Sequence, residues 1–149
     1  MYKHILVPID GSPLSIKAVK TASKLASQLG ARLTTFYVIP PYTPPMAGDG
    51  MSLYITMPSP EDYKKRSEKH AAEVLEKARE AASEDAVEIE GVFATEEEPW
   101  DAIIKAARSR KCDLIVMSSH GRRGLAGILL GSETHKVLTH SKTPVLVCR

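Results

Sequence analysis

The chain has no long hydrophobic run. Its longest N-terminal apolar stretch, Ile5 to Ile9, is interrupted by Pro8 and is far too short for a signal peptide or a membrane span. A cytoplasmic location is the expectation. Cysteine is scarce, and Cys112 and Cys148 form no CxxC pair and have no cluster of ligand partners, which reads as two ordinary thiols. Charge of one sign is not in excess either. The 20 basic and 18 acidic residues are interspersed and leave a formal charge of +2, so neither nucleic acid nor a membrane surface has compositional support as a partner. A Walker A loop, GxxxxGK[ST], is missing because Gly131-Ser132 lacks the lysine, and a GxGxxG after the first strand is missing because Gly11 stands alone. No Ser-His-Asp or Cys-His set and no compelling water-positioning residue argues for an enzyme.

What is present is enough apolar material for one core: 149 residues, 43% of them hydrophobic, predict a single domain over residues 1–149. His4 to Ile9 reads as a buried strand. Ser12 as N-cap and Pro13 as first helical residue open a helix whose apolar face is Leu14, Ala18, Ala22, Leu25 and Leu29, stopped by Gly30. Leu33 to Ile39 is a second strand, and strand, helix, strand is a right-handed parallel unit. Residues 40 to 60 hold six of the ten prolines and predict an irregular excursion. Within it Met51, Leu53, Ile55 and Met57 alternate, which suits a short strand, a strip tucked on the domain, a lid or a partner contact.

Ser59, Pro60 and Asp62 then signal a helix with a narrow face of Ala71, Val74, Leu75, Ala78 and Ala82. Val87 to Phe93 predicts a more exposed third strand. Glu96, Glu97 and Glu98 precede Pro99 as a solvated helix start, and Trp100, Ile103, Ile104 and Ala107 mark that helix. A fourth strand, Leu114 to Met117, a fourth helix near Glu133 to His140 and a last strand, Thr143 to Cys148, complete five strands alternating with four helices. The prediction is an α/β fold, an open parallel sheet with helices on both faces.

The stretch from Asp113 to Ser132 organises the rest. A buried strand leads into a polar, glycine-punctuated loop with Arg122 and Arg123, and then into a helix with Thr134, Val137 and Leu138 at helical spacing and Ser132 as a plausible N-cap. Strand, glycine loop and helix start is a physical recipe for holding phosphate. Backbone N–H groups converge on the anion, and the helix terminus adds partial positive charge. Winding one way through three strands and the other way through two gives the order 3-2-1-4-5, with the reversal between strands one and four. Asp10 should therefore lie beside Ser118 to Gly124, where a carboxylate suits ribose hydroxyls or a metal that accompanies the phosphates. The same topology puts Cys112 and Cys148 at opposite ends of adjacent strands, roughly 15–20 Å apart. The edge strand Val145-Leu146-Val147 needs cover, which a two-fold mate would supply. Among the histidines only His120 lies in the loop, with loop shaping or acid–base work in hydrolysis as its two readings. His135 and His140 are five apart, a spacing that does not align metal ligands.

Gly121, nine residues, then Gly131-Ser132, together with Ile-Leu-Val-Pro-Ile-Asp-Gly-Ser at the start, Tyr-Val-Ile ending strand two, Ser-His-Gly-Arg-Arg-Gly-Leu in the loop and Thr-Pro-Val-Leu-Val at the close, resemble the universal stress protein family. The likeness is to its ATP-binding branch and extends over essentially the whole chain. It implies a Rossmann-like fold of the adenine nucleotide α-hydrolase type, ATP with Mg or Mn as ligand, and a homodimer through the last strand. The nucleotide-binding set it implies is Pro8, Asp10, Val38, Ser118, His120, Gly121, Arg122, Arg123, Gly124, Gly131, Ser132 and Glu133. In it Asp10 meets the ribose or a metal, Val38 meets adenine through its backbone, and the glycines and Ser132 hold the phosphates. One departure is Ser118, where the signature has its first glycine; a positive φ there would be penalised by the serine Cβ. The implied function is a nucleotide-dependent stress-response regulator with at most slow ATP hydrolysis. The alternatives are a nucleotide-free dimeric module and a true ATP-hydrolysing or transfer enzyme.

Overall fold

Strands that are apolar on both faces must be covered on both faces, and the computed structural model, which describes residues 1–44, 57–121 and 130–149, covers them. The strands are β1 (His4–Ile9), β2 (Arg32–Ile39), β3 (Ile89–Thr95), β4 (Leu114–Ser118) and β5 (Val145–Cys148). The helices are α1 (Pro13–Leu29), α2 (Pro60–Ala81), α3 (Pro99–Ser109) and α4 (Ser132–His140), with a short 3-10 turn at Ser83–Asp85. The sheet is parallel and runs β3-β2-β1-β4-β5, as the winding argument predicts. Alternation along β1 divides the core: Ile5, Val7 and Ile9 pack under α1 and α2, while Leu6 joins Phe36, Ile115 and Met117 under α3 and α4. Residues 45–56 and 122–129 lie outside the described residues. With them lie Met51, Leu53 and Ile55 of the alternating strip, and Arg122, Arg123 and Gly124 of the loop.

Local signals set the helix ends. Ser12 Oγ accepts the Ser15 N–H, Pro13 is the first helical residue, and Gly30 closes α1 at φ 63°. Ser59 Oγ accepts the Asp62 N–H at the start of α2. Two expectations need correction. The buried face of α1 is Ser15, Ala18, Val19, Ala22, Ser23 and Ala26, whereas Leu14 is exposed and Leu25 and Leu29 pack only at its margin. Small residues win that face because they let the helix lie close on the sheet. Leu138 likewise faces solvent, so α4 buries only Thr134 and Val137.

At the N-terminal end of the sheet, Asp113 accepts the backbone N–H groups of Lys3 (2.9 Å to Oδ2) and His4 (3.0 Å to Oδ1), tying the start of β1 to β4. Burial raises the carboxyl's pKa, but the N–H groups of His4 and Lys3 outweigh it and hold it below its ordinary 3.8. Beside it the buried His4 ring donates from Nδ1 to the Arg110 carbonyl (3.1 Å), and Nε2 lies 2.8 Å from Thr34 Oγ1. Burial and then the Arg32 guanidinium push His4 below its ordinary 6.5. In both cases the unfolded chain takes up protons before the folded one does, so stability falls on acidification. The His4 contribution is lost first, as pH drops below about 6.5, and that of Asp113 only in the more acidic range below about 3.8. A His4→Asn variant is expected to flatten the upper limb and leave the lower one in place, as read by denaturant midpoints across pH.

Both thiols are free. The pairing of Ser118 with Cys148 leaves Cys112 six residues back along β4, about 20 Å away at 3.3 Å per residue, too far for a disulfide. Burial pushes the Cys112 thiol up to about 11, which suits a core side chain rather than a reactive one.

Candidate functional site

The reversal of winding between β1 and β4 opens at their carboxyl ends, and Pro8 contributes to the opening. The His4 carbonyl accepts from Asp113 on the β4 side and the Lys3 carbonyl from Arg32 on the β2 side, so alternation places the missing N–H of Pro8 on the β4 side. Registered pairing between β1 and β4 is confined to Ile5 with Leu114 and Leu6 with Ile115. Beyond it the ladder lapses, short of the carboxyl ends where ligands sit in such sheets.

Asp10 stands at the lip of this opening. Its Oδ1 accepts the Ser12 N–H at 2.9 Å, an Asx turn that fixes the side chain, with Gly11 taking φ 81°. Its Oδ2 faces Gly121 so closely that a Cβ there would sit 2.5 Å from it. The pairing of strand-one carboxylate and loop glycine expected from topology is thus present. Val38 directs its side chain into the α3/α4 core. Its backbone, by the alternation that sends the Arg32 N–H to Lys3, faces the β1 side just past the last registered pair, Ile9 with Tyr37.

The loop neck is closed by backbone and hydroxyl bonds. The Gly131 N–H donates to the Ser119 carbonyl at 2.7 Å, the Ser119 N–H donates to the Cys148 carbonyl at 2.7 Å, and Thr134 Oγ1 donates to the Ser118 carbonyl at 2.9 Å. A Cβ on Gly131 would lie 3.1 Å from the Ser119 oxygen, so Gly131 allows the neck to close. Ser119 and Thr134, both buried, are members of this neck that spacing arguments did not single out; Thr134 was visible only as a helical apolar position. His120 is shaped by the same bonds, its carbonyl accepting from Ser118 Oγ at 2.7 Å and its Nδ1 lying 3.1 Å from Ser119 Oγ.

Three residue roles differ from expectation. Gly131, not Ser132, is the N-cap of α4, at φ −66° and ψ 150°, and Ser132 is the first helical residue; the N–H of Gly131 is taken by Ser119, so phosphate would meet the N–H groups of the first turn beginning at Ser132. Glu133 turns its carboxylate away, accepting the Trp100 N–H at 2.9 Å. It thereby caps α3, whose own N-cap residue, Glu98, makes no side-chain cap bond. Ser118 ends β4 in register with Cys148 and is not among the positive-φ residues of the described chain, so the feared strain is absent. Ser118→Gly is accordingly expected to lose the bond to the His120 carbonyl and about 1 kcal/mol of stability without any gain in nucleotide affinity, as paired thermal-shift and binding titrations would read.

Asp10 suits one position on a divalent cation that brings its own phosphate and water ligands. A cage built from protein alone is not supported: no group of three or more His, Cys, Asp or Glu among the described residues is placed to hold a metal. No helix among those residues is long and apolar enough to cross a membrane.

Comparison with known proteins agrees with this geometry. The model of the universal stress protein family matches residues 1–149. Universal stress protein YxiE of Bacillus subtilis is 33% identical over 149 residues, covering all of both chains. Universal stress protein MJ0531 of Methanocaldococcus jannaschii is 33% identical over 157 residues, covering 100% of this chain and 83% of its own. Among solved structures, a universal stress protein in complex with cAMP is 26% identical with a TM-score of 0.73, covering 99% of this chain and 97% of that one. The chain belongs to the universal stress protein family.

Proposed function

We propose that this protein binds ATP with a divalent cation at the carboxyl ends of β1 and β4, and that occupancy of this site regulates a stress response in the cytoplasm. The observation that carries the reading is the fixed Asp10 carboxylate packed on Gly121 across the winding reversal, next to the first turn of a helix. A carboxylate there repels bare phosphate but suits ribose hydroxyls or a phosphate-borne cation, and the helix turn suits the phosphates themselves. Gly121 and Ser132 line the anion position, Gly131 closes its neck and Val38 offers backbone to adenine, while Arg122, Arg123 and Gly124, outside the described residues, are assigned to the phosphates by the family resemblance and, for the arginines, by their charge. Hydrolysis is at most slow: His120, the candidate base of the set, is drawn into the loop neck, its carbonyl accepting from Ser118 Oγ and its Nδ1 lying 3.1 Å from Ser119 Oγ, which favours its loop-shaping reading. Residues 1–149 act as one unit, paired with a second copy through Val145, Leu146 and Val147; the 41% exposure of Leu146 on an edge strand favours such cover.

The test is equilibrium titration with ATP, with and without magnesium, on the natural chain and on Asp10→Asn. Magnesium should strengthen binding, and Asp10→Asn should weaken Mg-ATP by about tenfold, or 1.4 kcal/mol, while leaving magnesium-free ATP less affected. Equal affinity of both chains in both buffers would remove Asp10 from the site. A cyclic nucleotide belongs in the same experiment, because a relative was solved with cAMP; preference for it over Mg-ATP would overturn the ATP assignment.

A further inference from the structure

The sheet's other edge carries a second surface. Among the described residues β3 pairs only with β2. The Glu88 carbonyl accepts from Leu33 and the Glu96 N–H donates to Ile39, so the even-numbered residues turn their backbone inward. Alternation then aims the N–H and C=O groups of Ile89, Gly91, Phe93 and Thr95 away from the sheet. Their side chains lie on the α2 face, where β3 and α2 leave a groove of about 280 Å³ lined by Leu75, Glu76, Arg79, Gly91 and Phe93 among others. Phe93 is 42% exposed at one end of it. Between it and Ile89, Gly91 offers only hydrogen where a Cβ would stand 3.3 Å from Leu75.

We propose that this edge is a homotypic interface, in which β3 pairs antiparallel with β3 of a second copy about a two-fold axis through Val92. The occupant follows from register. With Val92 opposite itself, Gly91 faces Phe93 of the second copy and Ile89 faces its Thr95, and these are the pairs whose backbone groups point outward and can exchange hydrogen bonds. Each Phe93 ring then covers the other copy's Gly91 and enters its groove, an aromatic filling of an edge glycine; a cavity of about 150 Å³ already holds benzene, so the space is sufficient. Glu90 falls opposite Ala94 rather than opposite another acid. On the groove's rim Glu76 and Arg79, an exposed i,i+3 pair, are self-complementary when two α2 helices meet antiparallel, each acid facing the other copy's base. The interface is independent of nucleotide binding and of the β5 edge.

Two variants and one cross-link test it. Leu146→Lys blocks the β5 edge, and sedimentation of that variant over a concentration series should still reach the mass of two chains. Adding Phe93→Asp should return it to the mass of one, with circular dichroism unchanged because Phe93 is exposed. Independently, Val92→Cys in a Cys112→Ala, Cys148→Ser background should oxidise to a covalent dimer, since opposed residues in a non-hydrogen-bonded pair lie about 4.5 Å apart at Cα. A single-chain mass for Leu146→Lys at every concentration, no effect of Phe93→Asp on its mass, or failure of Val92→Cys to cross-link would each overturn the proposal, including the case in which another segment occupies this edge.

Discussion

Gly121→Val is expected to abolish nucleotide binding, with affinity falling at least about 100-fold, or 2.7 kcal/mol. The cause is local and steric. A Cβ at this position would lie 2.5 Å from Asp10 Oδ2, nearer than van der Waals contact allows, and the two branches of valine add to it. Asp10 is a short side chain held by the Ser12 N–H, so it cannot retreat without giving up its Asx turn. Either the carboxylate leaves the proposed ribose and cation position or the loop backbone moves off the proposed phosphate position. Both outcomes remove binding. The neck bonds of Gly131, Ser119 and Thr134 lie apart from the clash, so the fold should survive. Calorimetric titration beside a thermal melt separates the two effects: a lost binding isotherm with a melting temperature close to that of the natural chain is expected. Undiminished binding would mean that Asp10 and Gly121 do not share a ligand.

Leu6→Ala carries the largest expected cost to stability. Leu6 is 0% exposed on the central strand, packed with Phe36 and Ile115 in the core beneath α3 and α4. Removing three carbons there loses their transfer free energy and leaves a cavity that rigid strands on both sides cannot collapse, about 3 kcal/mol in all. For a chain of this size that lowers the melting temperature by about 6–12 °C. The same substitution at Leu146, which is 41% exposed on the edge strand, should cost the single chain about 1 kcal/mol or less and register instead in assembly through β5. Equal costs at the two positions, measured by denaturant unfolding, would contradict this division between core and edge.

The sheet was legible because its signals are local and strong. Runs such as Ile5 to Ile9 and Leu114 to Met117 are apolar without alternation, as doubly covered strands must be, and Ser12-Pro13 and Gly30 punctuate a helix at both ends. The juxtaposition of Asp10 and Gly121 followed from strand order alone. Less legible was the face of α1, since leucines outrank serines in any hydrophobic pattern, whereas Ser15 and Ser23 are buried with their hydroxyls donating to Ser12 and to Lys20 and Asp85. The role of Glu133 was hidden for another reason. Beside Gly131-Ser132 it reads as a helix-start member of the nucleotide-binding set, and its partner Trp100 lies 33 positions away, a distance over which no sequence pattern signals a cap. Ser118 was judged by a signature that asks for glycine, and only its place in β4 shows that no left-handed backbone is required.

The central claim, an ATP-binding site built from the ends of β1 and β4, is tested most directly by titrating the purified natural chain with Mg-ATP in a calorimeter, after denaturing an aliquot to release any nucleotide retained through purification. The account predicts saturable binding of one nucleotide per chain, or a chain already carrying it. No heat of binding together with no released nucleotide would contradict it and leave a nucleotide-free pairing module as the reading of this fold.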